Sequence, residues 1–240
     1  MSAVAHDVAS LRELLQKRFP GTSRLDAPSH GVLASGVGAI DQLLPGGVPR
    51  GAATLLSGPP SSGKTGVALR VASGLTRSGG QVAWVHRGAL SVASAVWAGV
   101  EPRRLLQVRA ESDLEALRCA DYLLRWQAFH LVVLDWVGRG GHGGRWNRLQ
   151  KLVTGSESAL LVLAPTPPPG DPMRFVASVH LALERVPERP AAAVLVELDK
   201  TRFARPSTSH AVVEHGGMPG APFALDPDLP GLGQEWHDEL

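Results

Sequence analysis

Cysteine is almost absent from this 240-residue chain, where Cys119 stands alone. A single thiol excludes an internal disulfide framework and any zinc site built on paired cysteines, and it suits a reducing compartment. Lysine is scarce as well: Lys17, Lys64, Lys151 and Lys200 stand against twenty arginines. No apolar run approaches the ~20 residues needed to span a bilayer. The N-terminus carries His6, Asp7 and Arg12 where a secretory signal needs an unbroken apolar stretch. A cytoplasmic protein without a membrane partner is therefore expected. Net charge is also nearly missing, at +2, so no global electrostatic footprint announces a polyanion. That balance conceals a division. Residues 1–205 hold all 24 basic side chains against 16 carboxylates, a surplus of +8, while 206–240 carry six carboxylates and no Lys or Arg.

With 44% apolar residues, the chain can bury one substantial core. Three parts are expected. Residues 1–30 form an amphipathic helix and a linker, with Val8, Leu11, Leu14, Leu15 and Phe19 at roughly helical spacing before Pro20-Gly21. That apolar stripe docks either on its own domain or on another chain. Residues 31–215 form the body, and 216–240 a Gly/Pro-rich acidic tail whose composition suggests disorder. In the body, short apolar runs at Ala53–Ser57, Gln81–His86, Leu105–Arg109, His130–Asp135 and Ala159–Ala164 alternate with helical stretches near 64–78, 90–98, 112–126 and 145–154. Such alternation predicts an α/β fold with a mostly parallel central sheet flanked by helices. Val179–Arg185, Ala192–Asp199 and His210–Glu214 then follow without long helices, so antiparallel strands are expected at the C-terminal side.

Between the first strand and the first long helix lies Gly58-Pro59-Pro60-Ser61-Ser62-Gly63-Lys64-Thr65, which fits G-x-x-x-x-G-K-[ST]. Glycines let such a loop curl until its N–H groups face a phosphate, and the helix behind it adds the positive end of its dipole. Lys64 would reach the β- and γ-phosphates of ATP or ADP, and the Thr65 hydroxyl would ligate Mg²⁺. Asp135, the carboxylate closing Leu131-Val132-Val133-Leu134, is the matching candidate for the Mg²⁺ side.

The approach Ser35-Gly36-Val37-Gly38-Ala39-Ile40-Asp41, then Gly46-Gly47-Val48-Pro49-Arg50-Gly51 and the phosphate loop, resembles the RecA family. So does Met173-Arg174-Phe175-Val176-Ala177-Ser178-Val179-His180-Leu181, which is similar to the helix-to-strand passage after the second DNA-binding loop of RecA. The likeness spans about 31–215 and implies a RecA-like P-loop NTPase core. Lys200 and Arg202 stand where the family has two lysines that reach a neighbouring protomer's nucleotide, which implies trans-interface contacts. Short length and divergence look most like the ImuA branch. That branch implies an accessory role in SOS-induced damage tolerance, with an ImuB-like Y-family polymerase homologue, RecA and an error-prone DnaE-type polymerase as partners. An active DNA-dependent ATPase of recombinational repair is the alternative.

Departures from the family pattern favour the accessory role. Gly88 falls where the resemblance places the glutamate that activates water, so efficient turnover is not expected. His86 is the nearest substitute and reads better as a core or rim residue. The fifth strand ends Leu163-Ala164-Pro165, where the family has a polar sensor, and Ala95 replaces an adenine-stacking tyrosine. The second loop shrinks to Pro165–Pro172 and carries no basic residue. Arg139, Arg145 and Arg148 remain for weak DNA contact, with Trp136 and Trp146 as base-stacking platforms or as packed core.

Overall fold

The computed structural model describes residues 30–44, 46–88, 90–138, 142–186, 192–203 and 209–215. The amphipathic stripe Val8–Phe19, Arg139 and the acidic tail from 216 lie outside them. The elements in chain order are β1 (Val32–Leu33), α1 (Gly38–Leu43), β2 (Val48–Pro49), β3 (Ala53–Ser57), α2 (Lys64–Arg77), β4 (Val82–His86) and α3 (Val92–Trp97). A 3-10 turn at Pro102–Arg104 precedes β5 (Leu105–Arg109), α4 (Asp113–Trp126), β6 (Leu131–Asp135), α5 (Gly143–Thr154), β7 (Ala159–Ala164) and α6 (Pro172–Val176). Strands β8 (Val179–Val186), β9 (Ala192–Thr201) and β10 (His210–His215) close the described chain.

Eight strands form one sheet in the order β10-β9-β8-β3-β7-β6-β4-β5. From β5 to β8 every pairing is parallel, and β9 and β10 extend the sheet in antiparallel sense. The expected architecture is present with one correction: β8, expected among the antiparallel strands, runs parallel to β3, and only its other edge, against β9, is antiparallel. Both faces of the central strands are covered, which is why they read as continuous apolar runs and not as alternating ones. Leu56, Trp84, Val133 and Leu161 join α1 and α2 in one core layer. Leu55, Val85, Leu134 and Val162 join α4, α5 and α6 in the other.

Helix ends follow local chemistry. Ser112 accepts the backbone N–H of Glu115 at 3.2 Å, so α4 begins at the capping box seen in the sequence. Asp171 caps α6 by accepting from Met173 N at 2.9 Å. Sequence periodicity missed α1 and the β1–β2 pair, which are six and two residues long. Non-local bonds fix them: Ser35 N donates to Asp41 Oδ1 at 2.8 Å, and Arg50 N to Gly31 O at 3.0 Å. Among the described residues, no helix is long and apolar enough to cross a membrane.

Gly47 turns the chain into β2 at φ +129, and a Cβ there would collide with the Leu33 carbonyl. Gly79 also has positive φ, +94, but faces open space. Gly79→Ala should therefore cost about 1 kcal/mol of left-handed strain. Gly47→Ala should cost two to three times as much, because the backbone at Leu33 and Ala34 must move. Urea unfolding of the two variants checks this ranking, and equal losses would refute the steric account.

Candidate phosphate-binding site

The loop sits at the C-terminal end of β3, where a parallel sheet presents its ligand-binding edge. Its entry is fixed by Gly58, at φ +158, whose N–H donates to Ala164 O on β7 at 3.3 Å. A Cβ on Gly58 would collide with the Leu183 carbonyl on β8, so the sheet leaves room only for glycine. Ser61 adopts φ +61 and Gly63 φ +89, the left-handed turns that curl the loop into the helix. Ser62 is buried beneath it, its N–H on Pro59 O at 3.3 Å.

Helix α2 starts at Lys64 with no side-chain cap and no carboxylate in its first turn. Its first N–H groups and its dipole therefore offer an anion-binding end with no built-in anion. Lys64 Nζ donates to Gly58 O at 2.8 Å, Pro59 O at 2.7 Å and Ser62 Oγ at 3.1 Å. Burial lowers the Lys64 pKa, while the Asp135 carboxylate works the other way. Asp135 lies at the end of β6, its backbone in register with Leu163 on β7. Burial raises its pKa, against the opposing pull of His86 and Lys64.

One ammonium, one half-buried carboxylate, an exposed Thr65 hydroxyl and free helix N–H groups are thus gathered at one edge of the sheet. A hydroxyl and a carboxylate are hard oxygen donors that fit Mg²⁺ when phosphate oxygens and waters complete its shell. The residues present accordingly suit a magnesium nucleotide, with Thr65 and Asp135 on the metal side.

The other expected residues are distributed as follows. His86 is buried at the end of β4 and donates from Nδ1 to Gly88 O at 2.7 Å, a rim role. A Cβ on Gly88 would meet nothing within 4 Å, so the position is open as well as bare. Ala95 lies in the core and presents no surface to a base. Trp136 and Trp146 are buried against each other, ring centroids 5.1 Å apart and nearly perpendicular. They are packed core and not stacking platforms, because both lie in the apolar layer that α4, α5 and α6 make against the sheet. Arg145 and Arg148 lie three residues apart on α5, and Arg148 is paired with Asp121 at 2.6 Å. Lys200 Nζ donates to Arg174 O at 2.6 Å and Arg202 to Phe175 O at 2.7 Å. Both cap the carboxyl end of α6 within their own chain. Sequence reading passed over Ser57, His180 and Asp199, which meet behind the loop; a serine directly before Gly58 was the available signal.

The fold and this edge define an α/β protein with RecA-like architecture and a P-loop at the end of its central strand. A model of the RecA N-terminal domain matches residues 22–139. Protein RecA of Picosynechococcus sp. is 37% identical over 106 residues, 44% of this chain and 30% of that protein. Protein RecA of Nocardioides sp. is 41% identical over 108 residues, 44% of this chain and 31% of that protein. The alignments thus span less than a third of the length of these curated relatives. The crystal structure of the RadB recombinase superposes with a TM-score of 0.65 at 23% identity, covering 76% of this chain and 96% of that one.

Asp135 also generates a test. An acid whose folded pKa is raised stabilises fully below its unfolded value, and that contribution is lost as pH rises through the folded pKa. Asp135→Asn should therefore stabilise the nucleotide-free protein near pH ~7, with the gain shrinking toward the ordinary carboxylate range. Denaturant midpoints of both proteins across that range provide the measurement; a loss of stability at neutral pH would contradict the sign.

Proposed function

We propose that this chain is a RecA-like accessory protein of DNA damage tolerance, of the ImuA kind, which binds ATP or ADP with Mg²⁺ and turns it over poorly. The observation that carries the reading is the contrast between the loop after β3 and the turn after β4, both at the C-terminal end of the parallel strands. The phosphate loop has its left-handed turns, its lysine and the Asp135 carboxylate close enough to act on that lysine, while Gly88 offers no carboxylate to orient water. At the end of β7, Pro165 has no donor with which to sense a γ-phosphate. The RecA-like fold and the half-chain similarity to RecA support a place in DNA repair or recombination. On this reading the body 31–215 binds nucleotide, residues 1–30 dock on RecA or a like subunit, and the acidic tail 216–240 limits DNA contact. An ImuB-like polymerase homologue and a DnaE-type polymerase are the further partners, with Arg139, Arg145 and Arg148 giving weak DNA contact. Lys200 and Arg202 would release the α6 carbonyls to reach a neighbour's nucleotide on assembly.

Calorimetric titration with Mg-ATP and Mg-ADP should detect binding. Lys64→Ala should weaken it by about 10- to 100-fold, the worth of charge-assisted hydrogen bonds to phosphate. Turnover should stay low with or without single-stranded DNA. Hydrolysis stimulated by that DNA and abolished by Lys64→Ala would overturn the accessory reading in favour of a working ATPase. Association with RecA should weaken when residues 1–20 are deleted.

A further inference from the structure

Behind the phosphate loop, three polar side chains meet across β3, β8 and β9. Ser57 ends β3 directly before Gly58 and is fully buried. Its Oγ lies 2.7 Å from His180 Nε2 on β8, and His180 Nδ1 lies 2.6 Å from Asp199 Oδ2 on β9. The same carboxylate oxygen accepts from Arg174 of α6 at 2.8 Å.

Asp199 reaches this face through a bulge. Lys200 pairs with His180 and Leu198 with Leu181, so Asp199 is the extra residue between them. In regular pleat it would pair with Leu181 and face the opposite layer; a bulge re-aims it toward the histidine. The constellation has the composition of a hydrolytic triad, but Ser57 is 0% and His180 3% exposed. No acyl substrate can reach the hydroxyl, so nucleophilic chemistry is excluded.

What remains is a mechanical connection. With a neutral imidazole, Nε2 accepts the Ser57 hydroxyl proton, while Nδ1–H lies beside the Asp199 carboxylate without the alignment of a hydrogen bond. With a protonated one, Nε2–H donates to Ser57, whose own proton must turn elsewhere at the root of the loop. The root has little slack, since Gly58 packs against the Leu183 carbonyl of β8 and the side chain of Ser62.

We infer that His180 is a positioning residue for the phosphate loop: gripping Ser57 from β8 and answering to Asp199 on the β9 bulge, it ties the loop's affinity for nucleotide to the protonation of one buried imidazole. This rests on the nucleotide reading of the loop. The charged groups facing His180 are Asp199 and Lys200 from β9 and Arg174 from α6, while β3 contributes the neutral Ser57. Burial lowers the His180 pKa, Asp199 opposes that, and Arg174 and Lys200 add to it. The imidazole is therefore held toward its neutral form and takes its proton at lower pH than an ordinary histidine. A folded state that holds the histidine neutral loses stability as pH falls below the unfolded value.

The test is calorimetric titration of the full chain with Mg-ADP from pH ~8 to ~4.5, a range that extends well below the ordinary histidine value. Wild-type affinity should fall by about tenfold more than that of His180→Gln or Ser57→Ala across it, since linkage to one proton is worth up to tenfold per pH unit. Ser57→Ala keeps the imidazole and removes only a hydroxyl, so it carries the test if His180→Gln does not fold. Asp199→Asn should move the fall to lower pH and Arg174→Gln to higher pH, opposite shifts that a purely structural role would not produce. If wild type binds with the same pH profile as His180→Gln and Ser57→Ala, the inference is overturned while the nucleotide reading stands. If wild type binds no Mg-ADP at any pH, both are overturned.

Discussion

β3 is held on both edges by parallel partners, β7 and β8, and on both faces by apolar layers. A five-residue strand gripped in this way cannot slide or twist without disturbing the whole sheet, so its C-terminal end is a fixed point. The phosphate loop is anchored there by a hydrogen bond to one neighbour strand and by steric contact with the other. Helix α2 is then directed back over the sheet by Val67, Ala68, Val71, Ala72 and Leu75, all buried. The orientation of its positive end is thus set by hydrophobic packing more than ten residues deep, and not by the loop itself.

That arrangement leaves a charge to be managed. Lys64 is half-buried at the mouth of the loop, and an ammonium there needs acceptors. The loop supplies two carbonyls and a hydroxyl, so the cation is satisfied before any ligand arrives. Phosphate oxygens would compete with acceptors already in place, and only their greater negative charge and the helix end tip the exchange. Lys200 and Arg202 are satisfied by the same device at the opposite kind of helix end, where carbonyls and not N–H groups are unpaired. Two of the four lysines are therefore committed to helix termini of opposite polarity.

Central strands and the loop were legible because both signals are local. An apolar run bounded by Gly or Asp and a G-x-x-x-x-G-K-T string need no tertiary information, and β3, β5 and β7 appear with the bounds expected for them. α1 and the β1–β2 pair were not legible, because contacts such as Ser35 to Asp41 hold them and periodicity does not. Trp136 and Trp146 sit beside a glycine-rich arginine segment that suggests an open binding surface; only the packing of α5 over β6 decides that they are interior. The Ser57–His180–Asp199 line was invisible for a sharper reason. A bulge is an event of register between two strands, and no single-strand pattern records that Asp199 faces the histidine and not the opposite layer.

A phosphate loop without a water-orienting carboxylate is physically coherent as a binding device. Catalysis draws on interactions that strengthen only in the transition state, whereas binding draws on those present in the ground state. On the proposed reading the ground-state set is present: curled backbone, helix end, lysine and metal-side oxygens. On the same reading, the bare, open position at Gly88 and the proline after β7 supply no group to act on the attacking water or the γ-phosphate. Binding energy not spent on turnover stabilises whichever conformation holds the ligand, in proportion to the logarithm of ligand over dissociation constant. On the proposed reading, nucleotide then works as a structural ligand that orders one edge of the sheet; β7 and β8 are tied directly to that edge, and β9 and α6 are reached through His180 and Asp199. At that far end of the connection, Arg174, Asp199, Lys200 and Arg202 share one network of charge-assisted bonds between β9 and α6.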